Sequence, residues 1–301
     1  MKILLSLIGR IINSTGGVEK VACDMANAMV ERGHDVTILN FEDKEGMPFF
    51  RLDKRVKFIN LGKGHKLSHF LFNITSFYLD KNNKELKRLL NDCRQIADVV
   101  RDEVMAINPD IIITFEKRSE VIFKEFIKLN VPIITMFHFN YDYVLQNKAL
   151  HYIYEKSACI QVLTRRDLQE TKKILKKPEI ALIPNAVPQC EEANALDNRR
   201  IITVGHIDSK AKRQHLLIEA FALIRNKYPD WLLDIYGDTS FDKDYYEYCC
   251  KLIEKHKLKD TIKLCGTTNN IKTKLLNSSI FVFPSAYEGF GIALAEAMSV
   301  G

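Results

Sequence analysis

Nowhere does this chain of 301 residues offer the roughly 18 consecutive apolar residues that a membrane-spanning helix needs, so any membrane contact is expected to be peripheral. A CxxC pair is also missing, and Cys23, Cys93, Cys159, Cys190, Cys249, Cys250 and Cys265 have no histidine at metal-ligand spacing. Seven is an odd number, which argues against a disulfide framework and for reduced thiols in a cytoplasmic protein. The opening MKILLSLIGR is broken by Arg10 and has no small-residue cleavage site, so it reads as a first buried strand and not as a leader. Internal repeats, low-complexity tracts and a polybasic run are absent as well. The net charge of +6 comes from basic residues interleaved with Asp and Glu. That pattern fits a small polyanionic ligand or an anionic membrane surface as well as nucleic acid.

What is present is a regular alternation of short β-branched runs with longer segments of helical period. Strands are predicted at 2–7, 35–39, 56–61, 110–114, 132–136, 159–163 and 179–183, with helices at 18–31, 83–107, 120–129, 144–155 and 165–175 between them. A stretch from Pro184 to Asn198 follows, with two prolines, polar residues and no apolar period. Beyond it the alternation resumes, with strands at 201–205, 231–236, 261–264 and 280–283 and a last helix from Gly291. The fold class is therefore α/β, with two Rossmann-like doubly wound parallel-sheet domains. Their limits are set at residues 1–187 and 199–301, joined by a linker at 188–198.

The most informative stretch is FVFPSAYEGFGIALAEAMSVG, where Glu288 and Glu296 have seven residues between them and Gly289, Phe290 and Gly291 lie at the passage from strand to helix. Glycines there let a backbone approach a ligand, and the first amides of the helix, at Gly291 and Ile292, face an anion. A diphosphate suits that place. Glu288 precedes the helix, and Glu296 lies roughly 6 Å along the axis from Ile292. The two carboxylates thus address separate hydroxyl-bearing parts of one ligand.

This segment resembles the E-x7-E signature of the family-4 retaining glycosyltransferases of the GT-B fold, and the resemblance extends over the whole chain. It implies that Glu288 contacts the transferred sugar, that the amides from Phe290 to Ile292 hold the diphosphate, and that Glu296 binds the ribose hydroxyls. Lys212, in VGHIDSKAKRQHLLIEAFA, matches the family's phosphate-binding lysine, whereas His206 stands where the family usually has arginine. Histidine carries a full charge only when protonated, so the resemblance implies weaker or more pH-sensitive donor binding. Gly16 and Gly17 resemble the family's glycine turn facing the donor, and His138 a histidine beside the reacting sugar. Asn185 matches the Ile-Pro-Asn segment at the hinge. Thr164 and Asp167 have the spacing of a capping box and simply start a helix, and Gly33 closes one. The mixed basic and aromatic stretch from Gly62 to Tyr78 reads as a helix face beside a basic loop, with a lipid interface as the alternative.

The function implied is transfer of a hexose or N-acetylhexosamine from a nucleoside-diphosphate sugar, with UDP the expected base. The acceptor is a glycan or lipid-linked hydroxyl in bacterial envelope polysaccharide or lipopolysaccharide synthesis. Configuration is retained, no metal and no other cofactor is needed, nucleic acid is not a partner, and the cytoplasmic face of the inner membrane is a peripheral contact. Family members usually continue past a position equivalent to Gly301, so the second domain is expected to be incomplete here. Alternatives are a sugar-nucleotide epimerase or phosphorylase of the same fold, or a non-catalytic nucleotide-sugar-binding module. A dehydrogenase is disfavoured because the first βα turn lacks the GxGxxG spacing.

Overall fold

A computed structural model describes residues 1–63, 84–138 and 148–301. Most of the basic and aromatic stretch, 64–78, lies outside the described residues, as does the first part of the helix expected at 144–155. The chain divides into two compact units, Met1–Asn185 and Ala186–Gly301.

The first unit opens with β1 (Lys2–Leu7), α1 (Gly17–Glu31), β2 (Asp35–Asn40), β3 (Lys57–Asn60) and α2 (Lys84–Ile107). It continues through β4 (Ile111–Thr114), α3 (Lys117–Val121), β5 (Ile133–Met136), α4 (His151–Tyr154), β6 (Cys159–Val162), α5 (Arg165–Ile174) and β7 (Glu179–Leu182). All seven strands are parallel, in the order β3-β2-β1-β4-β5-β6-β7. A parallel strand covered on both faces must be apolar on both, which is why β1 is a near-continuous Ile/Leu run with five of its six residues buried. Gly33, at φ +82°, ends α1 with the His34 amide on the Met29 carbonyl at 3.2 Å. Thr164 Oγ1 accepts from the Asp167 amide at 3.1 Å and starts α5.

Two elements of the first unit differ from the sequence reading. The helix expected at 120–129 begins at Lys117, because the Glu116 carboxylate caps it by accepting from the amides of Arg118 at 2.6 Å and Ser119 at 2.7 Å. It then widens into a π-helical turn, Ile122–Ile127, and stops at Lys128 in the left-handed region, φ 54°. Of the helix expected at 144–155, the described part is a 3₁₀ turn, Lys148–Leu150, and the single turn of α4.

The second unit runs β8 (Arg200–Val204), α6 (Gln214–Ile224), β9 (Leu232–Tyr236), α7 (Lys243–Lys255), β10 (Ile262–Gly266), α8 (Ile271–Leu276), β11 (Ile280–Phe281) and α9 (Ile292–Met298). Its four parallel strands are ordered β10-β9-β8-β11. β11 is two residues long where four were expected. Pro284 has no amide to donate and biases Phe283 away from regular continuation, although Val282 N still bonds Ile202 O at 2.9 Å. One core, centred on Ile218, Phe221, Leu233 and Cys249, fills the α6–α7 face of this sheet, and a smaller one, Ile202, Leu275, Ala297 and Val300, involves α8 and α9.

In both sheets the strand order reverses beside the first strand of the unit, between β1 and β4 and between β8 and β11. Open α/β sheets bind ligands in the crevice outside the carboxyl ends of the strands at such a reversal.

Candidate functional site

In the second unit the reversal is flanked by the loop after β8, residues 205–213, and the loop after β11, residues 282–291. Lys212 spans the two loops: its Nζ is paired with Glu288 Oε1 and lies 5.5 Å from the centre of the Phe283 ring. Both partners are half-buried, at 21% and 25% side-chain exposure, so the pair is only partly screened by water. Asp208 shapes the first loop by accepting from Lys210 N at 2.8 Å, and Arg213 adopts the left-handed conformation, φ 52°, to start α6.

Close packing explains two glycines here that the sequence reading did not single out. A Cβ on Gly205 would come within 3.2 Å of the Lys212 stem, and one on Gly237 would overlap the carbonyl oxygen of Gly205. Gly205 N in turn bonds Tyr236 O at 2.9 Å. The floor under Lys212 is thus two backbones in direct contact. His206 follows that floor with its ring stacked on Phe241, 4.8 Å between centres and 15° between planes. Gln214 Nε2 donates to the His206 carbonyl at 2.7 Å.

Gly291 is the N-cap of α9 and is left-handed, φ 77° and ψ 54°, a conformation a side chain would strain. Its carbonyl accepts from Leu294 N at 3.0 Å and Ala295 N at 3.1 Å. Among the described residues the amides of Gly291, Ile292 and Ala293 have no protein acceptor, as expected for the first turn of a helix. Phe283 lies 3.5 Å from where a Gly291 side chain would begin, so ring, turn and Lys212 form one group. Gly289 and Phe290 complete the half-buried turn, and Glu296 follows one turn into α9, also half-buried.

The remaining candidates belong to the first unit. Gly16 caps α1 with φ −73° and ψ 160°, an ordinary extended conformation; a Cβ there would meet the Glu19 carboxylate, which accepts from Ser14 Oγ at 2.7 Å. Gly17 is the first residue of α1. His138 lies just past β5, is 8% exposed, and stacks on Phe115, with centres 5.2 Å apart and planes 4° apart. Among the described residues neither ring nitrogen has a hydrogen-bond partner. Burial pushes the imidazole down to about 4, so at neutral pH it is uncharged and offers one donor and one acceptor. Asn185 is half-buried at the last position of the unit. The structure therefore brings Lys212, Glu288, Gly205, Phe283 and Gly291 together in one unit and His138 with Phe115 in the other. Phe115, Phe283 and Gly237 escaped the sequence reading. A glycine directly after β9, beside the one after β8, is the signal that would have found Gly237.

Two doubly wound units, one of them with a cation, a carboxylate and a helix N-terminus at its strand-order reversal, have the features of an α/β fold that takes an anionic ligand there. Comparison with protein-family models matches Glycosyltransferase Family 4 over residues 15–189 and Glycosyl transferases group 1 over residues 190–301. The chain belongs to this glycosyltransferase family and has its GT-B fold. It is 24% identical over 297 residues to an uncharacterized glycosyltransferase of Haemophilus influenzae, covering 96% of this chain and 76% of that protein. S. aureus TarM, solved with fondaparinux, α-GlcNAc-glycerol and UDP, superposes with a TM-score of 0.73 at 15% identity, over 99% of this chain and 84% of that one. Sucrose-phosphate synthase of Thermosynechococcus elongatus gives a TM-score of 0.75 at 16% identity, over 100% of this chain and 79% of that one.

Proposed function

We propose that this glycosyltransferase moves a hexose or N-acetylhexosamine from a UDP-sugar to a hydroxyl of a glycan or lipid-linked acceptor of the bacterial envelope, with retained configuration and without a metal. The observation that carries the reading is Lys212 held on Glu288 beside the open amides of Gly291, Ile292 and Ala293. Without ligand the two charges neutralise each other. A diphosphate on the amides would draw Lys212 to itself and release Glu288 toward the sugar, so positive charge is supplied where the leaving group develops negative charge. Glu296 would take the ribose hydroxyls, and His206 would donate to a phosphate oxygen in place of the usual arginine. Neutral His138, Gly16 and Gly17 are further substrate-binding residues of the first unit in this reading. UDP is favoured because TarM was solved with it.

Contact with an anionic surface is part of the same proposal. Residues 148–177 carry eight basic and three acidic side chains, which is +5 of the chain's net +6. Arg165, Arg166, Lys172 and Lys173 lie exposed on α5, and Lys176 and Lys177 extend the row. Lysine-rich faces of this kind associate with anionic lipid. No helix among the described residues is long and apolar enough to cross a membrane.

Calorimetric titration of the chain and its Glu296→Ala variant with UDP and GDP, in EDTA, tests the donor site. Metal-independent UDP binding that the variant loses supports the reading; binding of neither nucleotide, or binding the variant keeps, refutes it.

A further inference from the structure

Behind the His138 stack lies a buried ion pair that the donor-site chemistry does not use. Lys124, in the π-helical turn, and Glu120, in α3, are 4% and 3% exposed, and their charged groups are in direct contact. Among the described residues, the further partners of the two charged groups are hydroxyls from the strands and the turn before β6. Lys124 Nζ donates to Thr135 Oγ1 at 2.8 Å and to Ser157 Oγ at 2.7 Å. Glu120 accepts from Thr114 Oγ1 on one oxygen and from Thr135 Oγ1, at 3.0 Å, on the other. Ser157 Oγ and Thr135 Oγ1 are 2.9 Å apart and complete the ring.

Thr114 and Thr135 face each other in register at the carboxyl ends of β4 and β5. Side chains alternate across a sheet, so the residue after Thr114, Phe115, turns to the opposite face. Phe115 carries the His138 ring, and His138 follows Thr135 by three residues. The ion pair thus clamps, from behind, the two strand ends whose tips form the stack.

Taking two charges into a core costs more than a well-packed apolar pair of the same volume, and replacing such pairs by apolar residues is often neutral or stabilising. Stability alone therefore gives no reason for Glu120 and Lys124. We infer that they are positioning residues that fix the β4 and β5 ends so that His138 lies flat on Phe115 with both nitrogens free for substrate. This rests on the reading of His138 given above.

The test is the double variant Glu120→Leu/Lys124→Met, with Thr135→Val as a milder change that removes one hydroxyl of the clamp. The imidazole proton signals of His138, shifted by the Phe115 ring, report the stack directly, and UDP release from UDP-glucose or UDP-N-acetylglucosamine in water reports turnover. Expected are an unchanged or higher melting temperature for the double variant, displaced His138 signals in both variants, and kcat lowered about tenfold or more with KM little changed, since small misplacements are that costly. His138 signals in the native position in Thr135→Val, or native kcat in a folded double variant, overturn the inference. His138→Ala decides the underlying reading separately: if that variant turns over donor normally, His138 has no part in the reaction and the positioning role falls with it.

Discussion

The buried, uncharged His138 makes acid sensitivity a local property of the first unit. Its imidazole is driven from the ordinary 6.5 down to about 4 by burial against Phe115. Between those two values the unfolded chain binds a proton that the folded chain does not. The contribution to stability is therefore fully present above pH 6.5 and is lost as the pH falls through 4. Linkage puts the loss at about 2 kcal/mol at pH 5 and about 3 kcal/mol at pH 4 relative to pH 7. His138→Phe, which keeps an aromatic ring on Phe115, removes this part of the pH dependence and leaves the rest. The single tryptophan, Trp231, lies in the second unit, so its fluorescence serves as an internal control. Hydrogen exchange of amides in β4 and β5 follows the first unit from pH 7 to pH 5. Protection should fall more steeply in the native protein than in His138→Phe, by the equivalent of about 2 kcal/mol at pH 5. If the two proteins lose protection in parallel, or His138 titrates near its ordinary value, the burial argument is wrong.

Four further outcomes follow from the second unit and the basic face. Gly237→Ala forces a side chain into the Gly205 carbonyl and should destabilise the unit by about 3 kcal/mol, read from Trp231 fluorescence in urea; a native midpoint would contradict the packing. Lys212→Met should weaken UDP binding about 10- to 100-fold in calorimetry through loss of a charge-assisted contact. Glu288→Gln should tighten UDP binding, because Lys212 loses its competing partner, while slowing UDP-sugar turnover about 100-fold. Charge reversal of Lys172, Lys173, Lys176 and Lys177 to Glu should abolish low-salt co-sedimentation with phosphatidylglycerol vesicles, and retained binding would remove α5 from the membrane face.

The strands were legible because buried parallel strands announce themselves as Ile/Val/Leu runs, and α5 because Thr164 and Asp167 form a local cap. Harder to see was α3: Glu116 is an unusual cap, and nothing in IFKEFI distinguishes a π-helical turn from an α-helical one. β11 looked four residues long because Val282 and Phe283 are apolar, whereas Pro284 acts backward on the chain. At the site, glycines and acids could be found by spacing, but Phe115 under His138 and Phe283 under Lys212 could not. Those contacts join residues 23 and 71 positions apart, and only the completed sheets bring them together.

The strand order also bears on how the chain comes to be folded. In each unit the first strand made becomes an inner one, and its second edge stays unpaired until a much later strand is synthesised: β1 waits for Ile111, and β8 for Ile280. At ordinary rates of synthesis the interval from Asn40 to Ile111 lasts roughly 4–14 s, during which an apolar strand presents a bare edge to its surroundings. The arrangement that creates a ligand crevice in the finished protein is thus, on the ribosome, a period of vulnerability to mispairing.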